Sequence, residues 1–286
     1  MIFRDNRERN SKIHQLIADY TKKHTRSPAA ARAALIREGL HDADGNLMPE
    51  YGGKKRRSVG PFDIEKEHNM LDTMCDVMRT AYERGWISTR DGNISLRRQN
   101  SPYLYVTPTG VRKQTMTSES ILKLRFPEDW EQPQAWRAMT RVDDEYQRRI
   151  IGLNPSGELP MHYLLQKNVN TSNRVVLHLH PTHIIAAMYA GLDLQKIAAQ
   201  FPELYIHTKV GPTVGSVQAQ SQELGENVYS AFDPDETGRS NWDICGIHLH
   251  GVVAVDRDPW QAYGHVERLN HICEIVLAAG GMREQQ

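Results

Sequence analysis

The stretch Val175-Val176-Leu177-His178-Leu179-His180-Pro181-Thr182-His183 decides how the chain is read. Val175 to Leu179 is apolar except for one histidine, and it opens with two β-branched residues. A short run of this kind predicts a buried strand. Pro181 stops it, and the residues after it predict a helix over Thr182–Ala190. Residues i and i+2 of a strand face the same side, so His178 and His180 aim two imidazoles at one point. His183 falls one turn into the helix and points elsewhere.

Two more pieces extend this pair. In Ile247-His248-Leu249-His250-Gly251, a strand-like stretch stops at a glycine, and spacing alone leaves both His248 and His250 as a third ligand. In Gly157-Glu158-Leu159-Pro160-Met161-His162, Glu158 stands at the start of a helix expected over Glu158–Lys167. Three neutral imidazole nitrogens with one open position is how catalytic zinc sites are built. A carboxylate beside them suits proton transfer. The plainer alternative is that 13 histidines produce such pairs readily, and that a glutamate at a helix start is favoured by the macrodipole.

The chain of 286 residues is long enough for one large core with an appendage. Lys+Arg (35) equals Asp+Glu (35), which argues against a dedicated nucleic-acid or membrane-surface protein. Cys75, Cys245 and Cys273 cannot all pair and have no C-x-x-C spacing, so a reducing compartment is expected. No run reaches the roughly 18 apolar residues of a membrane span, and the charged start lacks an apolar leader core. A soluble cytoplasmic protein is the expectation.

Charge divides the chain. Residues 1–60 carry 13 Lys+Arg against 7 Asp+Glu, a net of +6, and the remainder is therefore −6. The break falls at the Gly, Lys/Arg and Pro-rich run 51–63. Residues 1–60 read as a basic accessory segment with a linker, and 61–286 as the main domain. A helix is expected to begin near Asp63 and end at Gly85. Two short strands and a turn follow, then a Pro/Gly-rich loop at 107–110. Residues 118–126 read as a turn of helix and a strand, and 127–146 as an inserted loop. A strand is expected at 147–153, a helix at 218–231, strands at 244–249 and 252–255, and a helix at 259–279. The last helix carries an apolar stripe of Val266, Leu269, Ile272, Cys273, Val276 and Leu277, a candidate packing face for its own core or for another subunit. Strands and helices alternate with hairpin-like steps, which suggests a mixed sheet covered by helices on both faces.

From about Asp63 to Met282 the chain resembles the class II aldolase/adducin-type sugar-phosphate aldolases, of which fuculose-1-phosphate and rhamnulose-1-phosphate aldolases are the best-known members. Five pieces match in order: GWISTRDGNISLR, VTPTG, PSGELPMH, VVLHLHPTH and HLHGVVAVDRDPW with the helix behind it. The resemblance implies an α/β fold, three-layer α/β/α, with a central mixed, mainly antiparallel sheet. It also implies metal ligands His178, His180 and His250, since the family's ligand directly precedes the glycine. Asn93, Thr109, Gly110, Ser156 and Gly157 fall on its phosphate-contacting positions, and Glu158 on its acid/base. Hydroxyls and backbone N–H groups at turns suit an anion. The same residues are favoured at turns anyway.

The implied activity is a zinc-dependent retro-aldol cleavage of a sugar phosphate or hydroxy-ketone, in a homotetramer whose sites are shared between subunits; another divalent metal is possible. Two departures stand out. The acid/base segment reads Ser-Gly-Glu where the family has Ser-Ser-Glu, and the loop 207–221 lacks the tyrosine of the fuculose-type enzymes. Glu203 is then a candidate proton-transfer residue donated by a neighbouring subunit. Dehydratase, epimerase and decarboxylase chemistry within the family, and a non-catalytic adducin-like interaction module, are the alternatives.

Overall fold

The computed structural model of the protein describes residues 61–127, 134–142, 152–171 and 173–281. The basic accessory segment expected at 1–60 lies outside them. The elements run α1 (Pro61–Glu83), β1 (Asn93–Arg98), β2 (Tyr103–Val106), β3 (Leu122–Arg125), β4 (Thr140–Arg141), α2 (Leu159–Leu165) and β5 (Asn173–Leu179). They continue with α3 (Thr182–Tyr189), α4 (Leu194–Gln200), α5 (Pro202–His207), α6 (Gln222–Phe232), β6 (Ile244–Ile247), β7 (Gly251–Asp256) and α7 (Pro259–Ala278).

The strands form one seven-stranded sheet in the order β4-β3-β2-β1-β5-β7-β6. Among the described residues every ladder is antiparallel, and parallel pairing occurs only in the isolated bridges Val210–Ile244 and Val214–Ile247. The deciding stretch, β5, lies between β1 and β7, and Val175 to Leu179 are all buried. Its alternation sorts the two sheet faces. Val175, Leu177 and Leu179 join a core with α1, α3, α4 and α7, whereas Val176 packs with Met161 and Leu165 of α2 and Leu224, Val228 and Phe232 of α6. These are helices on both faces of a sheet, the three-layer α/β/α arrangement expected. The apolar stripe of α7 is spent on the first core: Val266, Leu269, Ile272, Cys273 and Val276 are buried in it and Leu277 packs against it. It is therefore not a free face for another subunit.

Several boundaries differ for local reasons. The helix expected from residue 218 starts at Gln222, because Ser221 caps it by accepting from Leu224 N–H (3.0 Å), and Gln220 takes a left-handed φ of 63°. Helices α4 and α5 were not expected. Yet Asp193 caps the first, accepting from Gln195 N–H (2.8 Å), and Pro202 opens the second. Strand β4 lies inside the presumed loop. Of the strand expected at 147–153, only Gly152 and Leu153 are described, and neither is in a strand. The stretch expected to be a strand through Leu249 ends at Ile247; His248 to His250 form the turn of the β6–β7 hairpin. Asp258 caps α7 as expected, accepting from Trp260 N–H and Gln261 N–H.

Among the described residues no helix is long and apolar enough to cross a membrane. All three cysteines are free and buried, and burial pushes the Cys75 and Cys273 thiols up to about 12.

Candidate active site

At the end of β5 the sheet face that carries Val176 turns polar. His178 pairs in register with Asn93 of β1 on one side and Val253 of β7 on the other. On β1, Ile94 and Leu96 enter the larger core, which leaves Asn93 and Ser95 on the α2 face. The loop Thr107–Thr109 runs antiparallel to Asn154–Ser156, with Thr109 N–H donating to Asn154 O (2.9 Å) and Ser156 N–H to Thr107 O (3.2 Å). This pairing aims the start of α2 at the sheet, so that Glu158, its N-cap, is buried opposite His178. The hairpin turn supplies His250. Gly251 is required there: a Cβ would lie 2.4 Å from Leu179 O and 2.8 Å from the His180 ring. Only a glycine lets the β7 backbone approach β5 closely enough for His250 to meet the strand pair.

The three imidazoles form a nearly equilateral triangle, with ring centroids 4.8, 4.9 and 5.0 Å apart. Their nearest nitrogens all lie within 4.8 Å of one another. His178 Nδ1 donates to Val252 O (2.9 Å), which leaves its Nε2 lone pair pointing inward, 2.9 Å from His180 Nε2. Glu158 closes the fourth side, with Oε2 3.4 Å from His178 Nε2 and Oε1 3.8 Å from His250 Nε2. Burial, reinforced by the neighbouring His178, pushes the His180 pKa down to about 3. His250 moves down for the same reasons. Burial pushes the Glu158 carboxyl up, but His178, a hydrogen bond from Asn93, His162 and His250 outweigh it and hold the group below its usual range. His180 and His250 are therefore neutral nitrogen donors, and with the inward-facing Nε2 of His178 they stand beside a carboxylate, the donor chemistry a divalent ion takes. Ligand nitrogens around a tetrahedral zinc sit about 3.3 Å apart, from bonds of about 2.0–2.1 Å. The observed spacing brackets that value, so the residues fit such an ion.

A cavity of about 160 Å³ opens in front of the cluster. Of the residues singled out from sequence, Asn93, Thr109, Ser156, Gly157, Glu158, His178, His180 and His250 line it. Gly110 does not, and its positive φ of 75° serves the turn. Glu203 is exposed on α5 and does not line the cavity either. His248 stays out of the cluster, and its N–H donates to Val214 O. His183 bonds Asn270 on α7 instead.

The Ser-Gly-Glu departure has a steric counterpart. A Cβ at Gly157 would fall 2.5 Å from the Gln220 side chain, which reaches over it into the cavity. Sequence reading also missed His162, one turn after Glu158 on α2. It is fully buried, bonded to Ser95 through Nδ1 (2.8 Å) and to Asn93 through Nε2. Their i, i+4 spacing, which puts both side chains on one helix face, was the available signal. Lys113 was missed too. It is buried, its ammonium donates to Val111 O (3.2 Å) and Arg90 O (3.4 Å), and burial pushes its pKa down to about 8.

A layered α/β domain with a three-histidine cluster beside a buried carboxylate is the class of protein these features define. The chain belongs to the class II aldolase and adducin N-terminal domain family, whose model matches residues 72–277. Curated relatives include an L-fuculose phosphate aldolase of Methanococcus maripaludis (strain C7), 30% identical over 68% of this chain and 88% of that protein. A methylthioribulose-1-phosphate dehydratase of Persephonella marina is 23% identical over 74% of this chain and 91% of that one. Among solved structures, a sugar-phosphate aldolase from Thermotoga maritima superposes with a TM-score of 0.58 at 20% identity, covering 76% of this chain and 99% of that one. The family is enzymatic, and its members generally use a divalent metal.

Proposed function

We propose that the protein is a metal-dependent aldolase that cleaves a ketose 1-phosphate, or a related hydroxy-ketone, by a retro-aldol reaction. The observation that carries this reading is Glu158, a buried carboxylate held ionised within 4 Å of two of three converging histidines, at the wall of a polar cavity. His178, His180 and His250 would hold the ion, zinc or another divalent metal. Bound there, it would supply Lewis acidity toward the substrate's ketone oxygen.

The remaining work falls to the protein. Cleavage of the carbon–carbon bond next to the hydroxyl-bearing carbon leaves an electron pair on the carbon beside the ketone. In the synthetic direction the Glu158 carboxylate takes a proton from that carbon; in cleavage Glu158 first takes up a proton from solvent and then delivers it there. Asn93 N–H holds the carboxylate at 2.7 Å. The Thr109 and Ser156 hydroxyls and the backbone N–H of Gly157, all on the cavity wall, suit the phosphate end, as donors presented at a turn do. The hydroxyl proton lost in cleavage needs an acceptor. Among the described residues the other carboxylate lining the cavity, Asp91, is exposed and accepts from the Ser88 hydroxyl, so we assign this role to Glu203 of a neighbouring subunit in a homotetramer.

A second reading, dehydration of a sugar phosphate, draws on the methylthioribulose-1-phosphate dehydratases among the curated relatives. It needs the same proton transfer by Glu158. Purified metal-loaded protein screened against a panel of ketose 1-phosphates and methylthioribulose 1-phosphate separates the two by product: an aldehyde plus a three-carbon ketone phosphate, or a dehydrated chain of unchanged carbon count. Glu158→Gln should retain metal and fold while turnover drops about 10²- to 10⁴-fold. A near wild-type rate on the true substrate would remove Glu158 from the mechanism.

A further inference from the structure

Behind Glu158 runs a line of buried polar groups that the proposed chemistry does not by itself require. Gln166 Nε2 lies 3.1 Å from Ser95 Oγ and 3.1 Å from Arg174 O. Ser95 Oγ lies 2.8 Å from His162 Nδ1, and His162 Nε2 bonds Asn93 Oδ1. Asn93 Nδ2 lies 2.7 Å from Glu158 Oε2. All five side chains are buried, Ser95, His162 and Gln166 completely.

The direction of every hydrogen bond in this line is determined from both ends. A backbone carbonyl only accepts, so the Gln166 amide must turn its N–H toward Arg174 O, and the same nitrogen then donates to Ser95 Oγ. Ser95 has one proton left to give, and its nearest remaining acceptor is His162 Nδ1. From the other end, an ionised Glu158 only accepts, so Asn93 presents its N–H to the carboxylate and its carbonyl to His162. A carbonyl there requires a proton on His162 Nε2. Both ends thus demand the same neutral tautomer, with the hydrogen on Nε2 and the lone pair on Nδ1.

We infer that His162 is a positioning residue: its Nε2–H orients the Asn93 amide so that an N–H, not the carbonyl, faces Glu158. The inference rests on Glu158 being the group that moves the proton. It assigns Asn93 first to the carboxylate and only with its second N–H to a substrate. Reversal of the Asn93 amide would set a carbonyl oxygen against a carboxylate oxygen and drive Glu158 from its place beside His178.

The chemistry of amides allows a sharp test in the full-length, metal-loaded protein. A glutamine amide nitrogen can take the place of a histidine Nε2, and an asparagine amide nitrogen the place of Nδ1. His162→Gln therefore keeps the donor to Asn93, whereas His162→Asn and His162→Leu lose it. Cleavage of a ketose 1-phosphate beside its ketone releases dihydroxyacetone phosphate, so hydrogen–deuterium exchange of that compound reports the proton step alone. With misplacement of a reacting group by about 1 Å costing up to about 10²-fold, kcat for exchange should fall roughly 10- to 100-fold in the Asn and Leu variants. In the Gln variant it should stay within about fivefold, with KM and metal content unchanged in all three. A purely structural role would treat Gln and Asn alike, and equal rates in those two would overturn the inference. Nitrogen-15 NMR of the imidazoles of the wild-type protein gives a readout independent of activity. Protonation of His162 at Nδ1 would overturn the inference whatever the reaction is. An Nε2–H tautomer in a protein that exchanges no dihydroxyacetone phosphate would instead leave the donor line standing and reject the aldolase reading.

Discussion

His162 and His265 are both buried, both lie on helices packed against the sheet, and both sit in the middle of a hydroxyl–imidazole–acceptor line. They differ in where the line ends. Arg268 donates to Thr208 Oγ1 (3.0 Å), Thr208 pairs with His265 Nδ1 (3.0 Å), and His265 Nε2 pairs with Asp256 Oδ2 (3.0 Å). That line closes on itself: it ties α7 to the end of β7 and to the residue after α5, and each imidazole nitrogen has its partner. At the opposite end of β7, roughly 17 Å away along the strand, the line through His162 ends on a carboxylate that faces a cavity and three imidazoles whose lone pairs converge. Buried polar groups that satisfy one another stabilise a fold. Groups that converge without enough protons between them mark a place for something else to bind.

The largest expected effect comes from breaking the open end. A His178→Ala/His180→Ala double variant removes two of three nitrogens from the cluster, and metal content measured without added chelator should fall from one ion per chain to near zero, with activity lost. Stoichiometric metal in that variant would show that the ligands lie elsewhere. Breaking the closed end should do something different. Burial pushes the Asp256 carboxyl up, but the His265 hydrogen bond and the Arg257 N–H outweigh it and hold it below its usual range. Asp256→Ala leaves the buried His265 N–H without its acceptor, which costs about 1–3 kcal/mol of stability. Urea unfolding should register that loss, while metal content and kcat of the folded protein remain those of the wild type. Loss of metal in Asp256→Ala would erase the distinction between the two ends.

The contrast also explains what could be read from sequence. The histidine pair was legible because strand alternation is local: His178 and His180 must share a face whatever surrounds them. The stop at Gly251 was equally local, although the residue before it turned out to lie in a hairpin turn. Glu158 was legible as a helix-start carboxylate. Asn93 was legible as a cavity residue but its bond to Glu158 was not, because that bond spans 65 positions and depends on how α2 docks on β1. Ser95 stayed invisible for the same reason, and His162 offered only its i, i+4 spacing from Glu158. The α7 stripe shows the converse. Its period was plain, but a period cannot say which neighbour covers it, and the cover is the domain's own core.

The line through His162 also carries a pH dependence. Burial pushes the His162 pKa down to about 4, from an ordinary value of 6.5. Between those values the unfolded chain binds a proton at this residue that the folded chain does not, so folding stability rises with pH across the window and is lost as pH falls from about 6.5 toward 4. Full development of a 2.5-unit shift corresponds to about 3 kcal/mol. His180 and His250 also move down and add slope of the same sign. The quantity to measure is therefore the difference between the wild type and His162→Gln, which retains the donor but has nothing to titrate. Urea midpoints from pH 7 down to 4.5 should converge on, or fall below, those of the variant as the wild type loses stability more steeply. Parallel pH profiles for the two proteins would mean that His162 takes up its proton as readily in the fold as in the unfolded chain. A protonated imidazole carries hydrogen on both nitrogens and leaves Ser95 no acceptor at Nδ1, so the line to Glu158 would lose the fixed direction that sets it apart from the closed one at Asp256.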